Sequence, residues 1–158
     1  MLIVVFSELR ILRSYQIKRF SYYRYRELNG RQKMMSRYRA FYEGEMYGVK
    51  AVIWTSRGLY VTLDDDNKAG RRVRGAKLMQ STGLFDSSET PKEIFDGDII
   101  RLEVPNQSMC GTYEVRRANS GEWRIDSRTQ GRRLYDSLNN ITVIGNSYEN
   151  PELVEEVK

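Results

Sequence analysis

The sequence predicts a mainly β protein, with a β-hairpin or meander first and a small antiparallel β-barrel in the C-terminal half. Polar and apolar residues alternate over several short segments, which is the pattern of half-buried strands. Glycine-containing turns separate these segments, and many short strands of this kind are typical of small barrels. Strands do not alternate with helical patterns, and no glycine-rich phosphate loop is present, which argues against a doubly wound nucleotide-binding fold.

The meander is predicted over residues 37–63. Its first two strands are joined by a tight turn at Glu43-Gly44-Glu45, as in a β-hairpin. The third strand, Leu59 to Leu63, is rich in residues that favour strands. Residues 64–75 are strongly charged, and we expect the sheet to end there.

The barrel is predicted over about residues 92–148. Ile100 and Leu102 alternate with Arg101 and Glu103, so one face of that strand is apolar and the other charged. Further strands are expected at 112–116, 122–126 and 141–145. The acidic segment 151–158 is predicted to be a tail of low order.

The composition excludes several kinds of catalytic site. The 158 residues include no histidine and one cysteine, Cys110. Triads with a histidine base, disulfides within the chain and the usual zinc ligand sets are therefore excluded. The sequence predicts a protein without enzymatic activity, without a cofactor and without a metal ion.

The net charge of +5 is concentrated in one segment. Residues 1–33 contain eight Lys/Arg and two Glu, whereas residues 34–158 contain eighteen basic and nineteen acidic residues. Three interpretations of residues 1–33 stay open. The segment is a basic aromatic arm that binds nucleic acid or an anionic membrane, a short amphipathic helix docked on the body, or a product of a mis-called start upstream of Met34 or Met35.

If the basic arm is functional, it would contact phosphates with its cations and stack bases on its tyrosines. No apolar run in the chain is long enough to span a bilayer. The candidate nucleic-acid-binding residues of the arm are Arg13, Lys18, Arg19, Tyr22, Tyr23, Arg24, Tyr25 and Arg26.

Within residues 34–158, few side chains suggest a catalytic or ligand-binding role. Trp123 shares a strand face with Ile125, so core packing is favoured over base stacking. The charged outer face is expected to hold cross-strand ion pairs. Asp96 and Asp98 are the nearest approach to paired metal-binding carboxylates, and a metal-dependent nuclease using them is a remote alternative. The favoured interpretation is that they accept hydrogen bonds in a turn around Gly97.

Two segments resemble the YopX family of phage and prophage proteins. The first is LMQSTGLFD at 78–86 followed by EIFDGDII at 93–100, and the second is VIGNSYENPEL at 143–153. The resemblance covers about residues 36–153. The loop Ser87 to Pro91 departs from the family pattern, because it is longer and lacks glycine, and must therefore use a different turn.

The resemblance implies an SH3-type β-barrel in the C-terminal half, a mobile-element origin and a cytoplasmic location in a bacterial host. It implies no activity and no catalytic residues. We therefore expect a non-enzymatic accessory protein that acts as a protein-interaction or self-assembly module, with a homo-oligomer as one form. The alternative is a small-barrel protein that binds nucleic acid through the arm of residues 1–33.

Overall fold

The computed structural model describes residues 37–105 and 108–157. They form two antiparallel sheets, which confirms the mainly β class. The first sheet has six strands in the order β4-β3-β2-β1-β5-β6, and the second has five in the order β10-β9-β8-β7-β11. The strands of the first sheet are β1 Tyr38–Tyr42, β2 Glu45–Thr55, β3 Gly58–Asp64, β4 Arg71–Arg74, β5 Lys77–Phe85 and β6 Glu93–Phe95.

The predicted meander is present as β1, β2 and β3. Glu43 and Gly44 both have positive φ, at 51° and 90°, and they form the two-residue turn of the first hairpin. A turn of this kind matches the twist of antiparallel strands. The hairpin therefore has the geometry that its sequence predicts.

The prediction that the sheet ends at residues 64–75 is wrong. Residues 71–74 form β4, which pairs with β3 so that Val73 lies opposite Val61. Both valines are buried in the core of the first sheet, together with Ala40 and Leu63. One buried side chain in a run of arginines is enough to fix the register of this short edge strand.

The strand β5 is central, although its sequence shows little alternation. It pairs with β1 on one side and β6 on the other, so β1 lies between β2 and β5. The register with β6 shifts between Ser81 and Phe85, where Gly83 adopts a φ of 72°. Glycine adopts this left-handed conformation without the strain a side chain would cause.

The second sheet is formed by residues 98–146. Its strands are β7 Asp98–Leu102, β8 Gly111–Arg117, β9 Trp123–Asp126, β10 Gly131–Arg133 and β11 Ile141–Asn146, with a 3-10 helix at Tyr135–Asn140 between the last two. Its core includes Ile94 of β6, so the two sheets share apolar contacts. The buried members of this core are Ile94, Ile100, Leu102, Tyr113, Val115, Ile125, Leu134 and Ile141.

The predicted closed barrel over 92–148 is not found in the described residues. The strands β10 and β11 lie at opposite ends of the sheet order, and no pairing joins them. The strand β6, inside the predicted barrel range, belongs to the first sheet instead. The alternating pattern predicted β7, β8, β9 and β11 but not the three-residue strands β6 and β10, and alternation does not indicate which strand edges pair.

The C-terminal segment is ordered, contrary to the prediction of a loose tail. Residues Pro151–Val157 form a short helix, α1, and Val157 is buried. Proline suits the first position of a helix, and Glu152 lies in the first turn, where a negative charge is favourable. Because the Arg128 N–H donates to the Val157 carbonyl at 2.7 Å, the end of α1 is held against the β9–β10 hairpin.

Candidate functional site

The basic arm predicted to bind nucleic acid lies outside the described residues. The structure therefore places none of the eight candidate residues between Arg13 and Arg26. The hypotheses on residues 1–33 stay predictions.

The paired carboxylates Asp96 and Asp98 have different environments. Asp98 is completely buried at the start of β7. One of its oxygens accepts the Phe95 N–H at 2.8 Å, and the other forms an ion pair with Arg39 of β1. The Arg39 guanidinium lies 4.5 Å from the centroid of the Phe95 ring. Asp98 therefore joins the first sheet to the start of the second.

Burial is the largest influence on the pKa values of Asp96 and Asp98. It raises the pKa of Asp98 to about 6, although the Arg39 charge and the Phe95 N–H act in the opposite direction. Burial also raises the pKa of Asp96, with a further contribution from Glu114. The described residues contain no group of three or more Asp, Glu, Cys or His side chains that could hold a metal ion. Asp98 is thus engaged in structural bonds: it accepts the Phe95 N–H within the turn, and it forms an ion pair with Arg39 that the sequence does not predict.

Asp86 explains how the glycine-free loop at 87–91 turns. Its carboxylate is buried and accepts the N–H groups of Lys92 at 2.8 Å and Val143 at 2.9 Å. It also accepts the Ser88 hydroxyl at 2.7 Å. A side-chain carboxylate thus replaces the special backbone conformation that glycine would supply, and it attaches the loop to β11.

The segment 143–153 is organised by asparagines. The Asn146 Oδ1 accepts the N–H groups of Tyr148 and Glu149 at 3.0 and 2.9 Å. A Cβ at Gly145 would overlap the Asn150 side chain, so the close approach of α1 to β11 requires glycine at that position. The residues that carry the sequence resemblance therefore serve the fold.

The charged face of β8 and β9 is mixed in sign, as predicted, but its ion pairs run mainly along the strands. Arg116 lies opposite Arg124, and Glu114 lies opposite Asp126. Each arginine compensates by pairing two residues along its own strand: Arg116 with Glu114 at 2.5 Å, and Arg124 with Asp126 at 3.4 Å. This arrangement neutralises the face and leaves no concentrated charge for a ligand.

Trp123 has the packing role that its strand face predicts. Trp123 packs against the core of the second sheet, and the Arg117 guanidinium lies 5.7 Å from its ring centroid. The Cys110 thiol is exposed and donates to the Val104 carbonyl at 3.2 Å.

The structure also shows a basic surface that sequence analysis missed. We call it the arginine–tyrosine surface; it consists of Arg57, Tyr60, Arg72 and Arg74. These residues line a groove of about 530 Å³ at the end of the first sheet. Three of them belong to β3 and β4, and Arg57 belongs to the turn before β3. Its signal in the sequence is the run Arg71-Arg72-Val73-Arg74, whose charge favours a loop over a strand.

The fold defines the class of this protein: it is mainly β, with two antiparallel sheets. The polar residues in its sequence motifs, such as Asp86, Asp98 and Asn146, form hydrogen bonds that stabilise this fold. The sequence model described as "YopX protein" matches residues 24–155. The chain therefore belongs to the YopX family, which confirms the resemblance. The matched range also includes residues 24–33 of the N-terminal segment.

Solved structures of two bacterial proteins are similar to this chain. Protein yopX from Bacillus subtilis has 22% identity and a TM-score of 0.53, over 74% of this chain and 96% of that chain. Protein EF1440 from Enterococcus faecalis has 23% identity and a TM-score of 0.48, over 77% of this chain and 99% of that chain. Similarity to yopX supports the fold alone.

No curated protein matches the sequence. Within 37–105 and 108–157, no helix is long and apolar enough to cross a membrane.

Proposed function

We propose that this protein is a non-enzymatic accessory protein of a phage or prophage in the bacterial cytoplasm, and that it works by binding a protein. The partner is a second copy of the chain or another protein that adds a strand to the sheet. The open edge of β10 is the observation that carries this proposal. The SH3-type topology implied by the family resemblance stays a prediction.

Two of the four sheet edges are closed by the chain itself. At β6, the Phe95 N–H points away from β5 and donates to Asp98 at 2.8 Å. At β11, the Ile141 carbonyl accepts both the N–H and the hydroxyl of Ser87, and the Val143 N–H donates to Asp86. A strand could not pair there without displacing these bonds.

The edge of β10 has donors that no residue of 37–105 or 108–157 accepts. Ser127 donates to the Gln130 carbonyl at 2.7 Å and Leu134 to the Trp123 carbonyl at 3.0 Å. Because bonded and non-bonded pairs alternate in an antiparallel ladder, the N–H groups of Gly131 and Arg133 point away from β9. Unpaired edge groups of this kind are the template for strand addition.

Light scattering coupled to size exclusion, with the full chain at rising concentration, tests the self-assembly form. We expect a mass above that of one chain for the wild type and for Arg133→Ala, but the mass of one chain for Arg133→Pro. Proline removes the outward N–H and keeps the bonds to β9, whereas alanine removes only the side chain and its ion pair with Glu122. A monomeric wild type at every concentration would contradict self-assembly and leave a different protein as the partner.

The absence of catalysis is tested separately. If Asp96 and Asp98 served a nuclease, the full chain would cleave DNA with magnesium or manganese, and Asp98→Asn would abolish the cleavage. We expect no cleavage, because one oxygen of Asp98 is paired with Arg39 and the other with the Phe95 N–H.

A further inference from the structure

The arginine–tyrosine surface is built by the register of β3 and β4. Tyr60 lies directly opposite Arg74, and Arg72 lies two residues away on the same face of β4. Alternate residues of a strand share a face, so both guanidinium groups project beside the tyrosine ring. The Arg72 and Arg74 guanidinium carbons lie 4.6 and 5.4 Å from the ring centroid.

The turn before β3 leaves room for these groups. Gly58 has a φ of 112°, and a Cβ at that position would lie 3.6 Å from Arg74 Nη2. The backbone therefore approaches the guanidinium without a side chain between them. Arg57, in the same turn, adds a third exposed cation to the groove.

The positive charge of this surface is not neutralised by the described part of the chain. Arg57, Arg72 and Arg74 form no ion pair with any residue of 37–105 or 108–157. The described residues that line the groove include no Asp or Glu. By contrast, the neighbouring Arg71 pairs with Glu43 at 3.5 Å and with Asp65 at 3.9 Å.

We propose that the arginine–tyrosine surface binds single-stranded nucleic acid. Guanidinium groups bind phosphate oxygens in a bidentate manner, and the outer planes of guanidinium groups that lie over a tyrosine ring offer stacking partners for bases. A groove lined by cations beside an aromatic ring is the arrangement by which proteins bind single strands. Stacking of this kind requires bases that are not already stacked in a helix. The site goes beyond the proposed function, since it lies on the first sheet and β10 on the second.

Edge protection is the competing role for these arginines. Charged side chains on an edge strand such as β4 discourage unwanted strand pairing. That role requires exposed charge, but it does not require two guanidinium groups packed over one tyrosine ring or affinity for phosphate. A binding experiment with matched charge changes separates the two roles.

The test is a fluorescence-anisotropy titration of the full chain with a labelled single-stranded oligonucleotide and with its duplex, at several salt concentrations. The variant is Arg72→Gln/Arg74→Gln. The control is Arg101→Gln/Arg128→Gln, which removes one exposed arginine of β7 and one of the β9–β10 turn; neither has an ion pair among the described residues. Both double variants have the same net charge. Thermal unfolding checks that each is folded.

We expect the wild type to prefer the single strand and the variant to lose at least about tenfold in affinity, with the control within about twofold of wild type. The slope of log K against log salt should fall by about 1.4 in the variant, since each lost phosphate contact on a single strand contributes about 0.7. An oligonucleotide carrying 5-iodouracil should cross-link to the tryptic peptide 58–68, which contains Tyr60.

Three results would overturn the proposal. The first is an affinity and salt slope for the variant equal to those of the wild type, because binding would then lie elsewhere, for example in residues 1–33. The second is an equal loss in variant and control, which would show an effect of net charge alone. The third is no binding by the wild type, which would leave edge protection as the role of the arginines.

Discussion

The ion pair between Arg39 and Asp98 gives the sharpest prediction about stability. Replacing Arg39 by leucine leaves the Asp98 carboxylate completely buried with one hydrogen bond, from the Phe95 N–H. Breaking a buried pair on one side destabilises a protein by about 3–5 kcal/mol. The substitution also removes the contact between the guanidinium and the Phe95 ring, worth about 1 kcal/mol.

The effect of Arg39→Leu should depend on pH, because Asp98 can escape the unpaired charge by taking up a proton. Its pKa is already about 6 in the wild type, and losing the arginine raises the pKa further. At pH 7.5 we expect the free energy of unfolding to fall by about 4 kcal/mol. At pH 4.5, where Asp98 is protonated with or without the arginine, we expect a fall of only about 1 kcal/mol.

Urea denaturation at these two pH values measures the difference, with Arg37→Leu as the matched control. Arg37 pairs with Glu93 at 2.8 Å, but its side chain is 56% exposed. A surface pair of this kind contributes less than about 1 kcal/mol, so its removal should have a small effect at both pH values. An equal loss for Arg39→Leu at pH 7.5 and 4.5, or a loss no larger than that of the control, would refute the reasoning.

Three further predictions follow from the buried polar groups. Because the pKa of Asp98 is raised from 3.8 to about 6 on folding, the folded state binds the proton more tightly, and stability should fall by about 3 kcal/mol as the pH rises from 4 to above 6. Denaturant titrations across this range test the fall, which should be much reduced in Asp98→Asn; stability that rises with pH would contradict it. Asp86→Ala leaves the Lys92 and Val143 N–H groups without their acceptor and should cost about 3 kcal/mol in the free energy of unfolding by urea denaturation; a loss below 1 kcal/mol would show that water replaces the carboxylate. Gly145→Ala should lower stability by about 1–3 kcal/mol and speed amide exchange in α1, because the new Cβ displaces Asn150; unchanged exchange there would mean that the helix does not depend on this approach.

Local patterns predicted the strands whose partners are near in sequence. The β1–β2 hairpin is specified by its turn and by alternation on either side, and Trp123 and Ile125 indicate their buried face directly. The same reasoning failed at β4, because three of its four residues are arginines and only Val73 is buried. It also left β5 unassigned, since Gln80, Ser81 and Thr82 are polar residues within a central strand.

The functional features depend on contacts that local sequence does not reveal. The side chains of Arg39 and Asp98 meet across 59 positions, and no spacing rule links them. The arginine–tyrosine surface requires Tyr60 to lie opposite Arg74, which is known only once β4 is known to be a strand. The helix α1 carries the usual signals, a proline followed by acidic residues, but its acidic composition also predicts a tail of low order, and the sequence alone does not decide between the two.

The position of β1 between β2 and β5 has a consequence for synthesis on the ribosome. The strands β1, β2 and β3 can pair as soon as they emerge, but the other side of β1 stays unpaired until residues 77–80 follow. The guanidinium of Arg39 in β1 has no carboxylate partner until Asp98 has also been synthesised. During that interval the nascent chain exposes an incomplete sheet, so slow translation between residues 64 and 98 would favour misassociation with neighbouring chains.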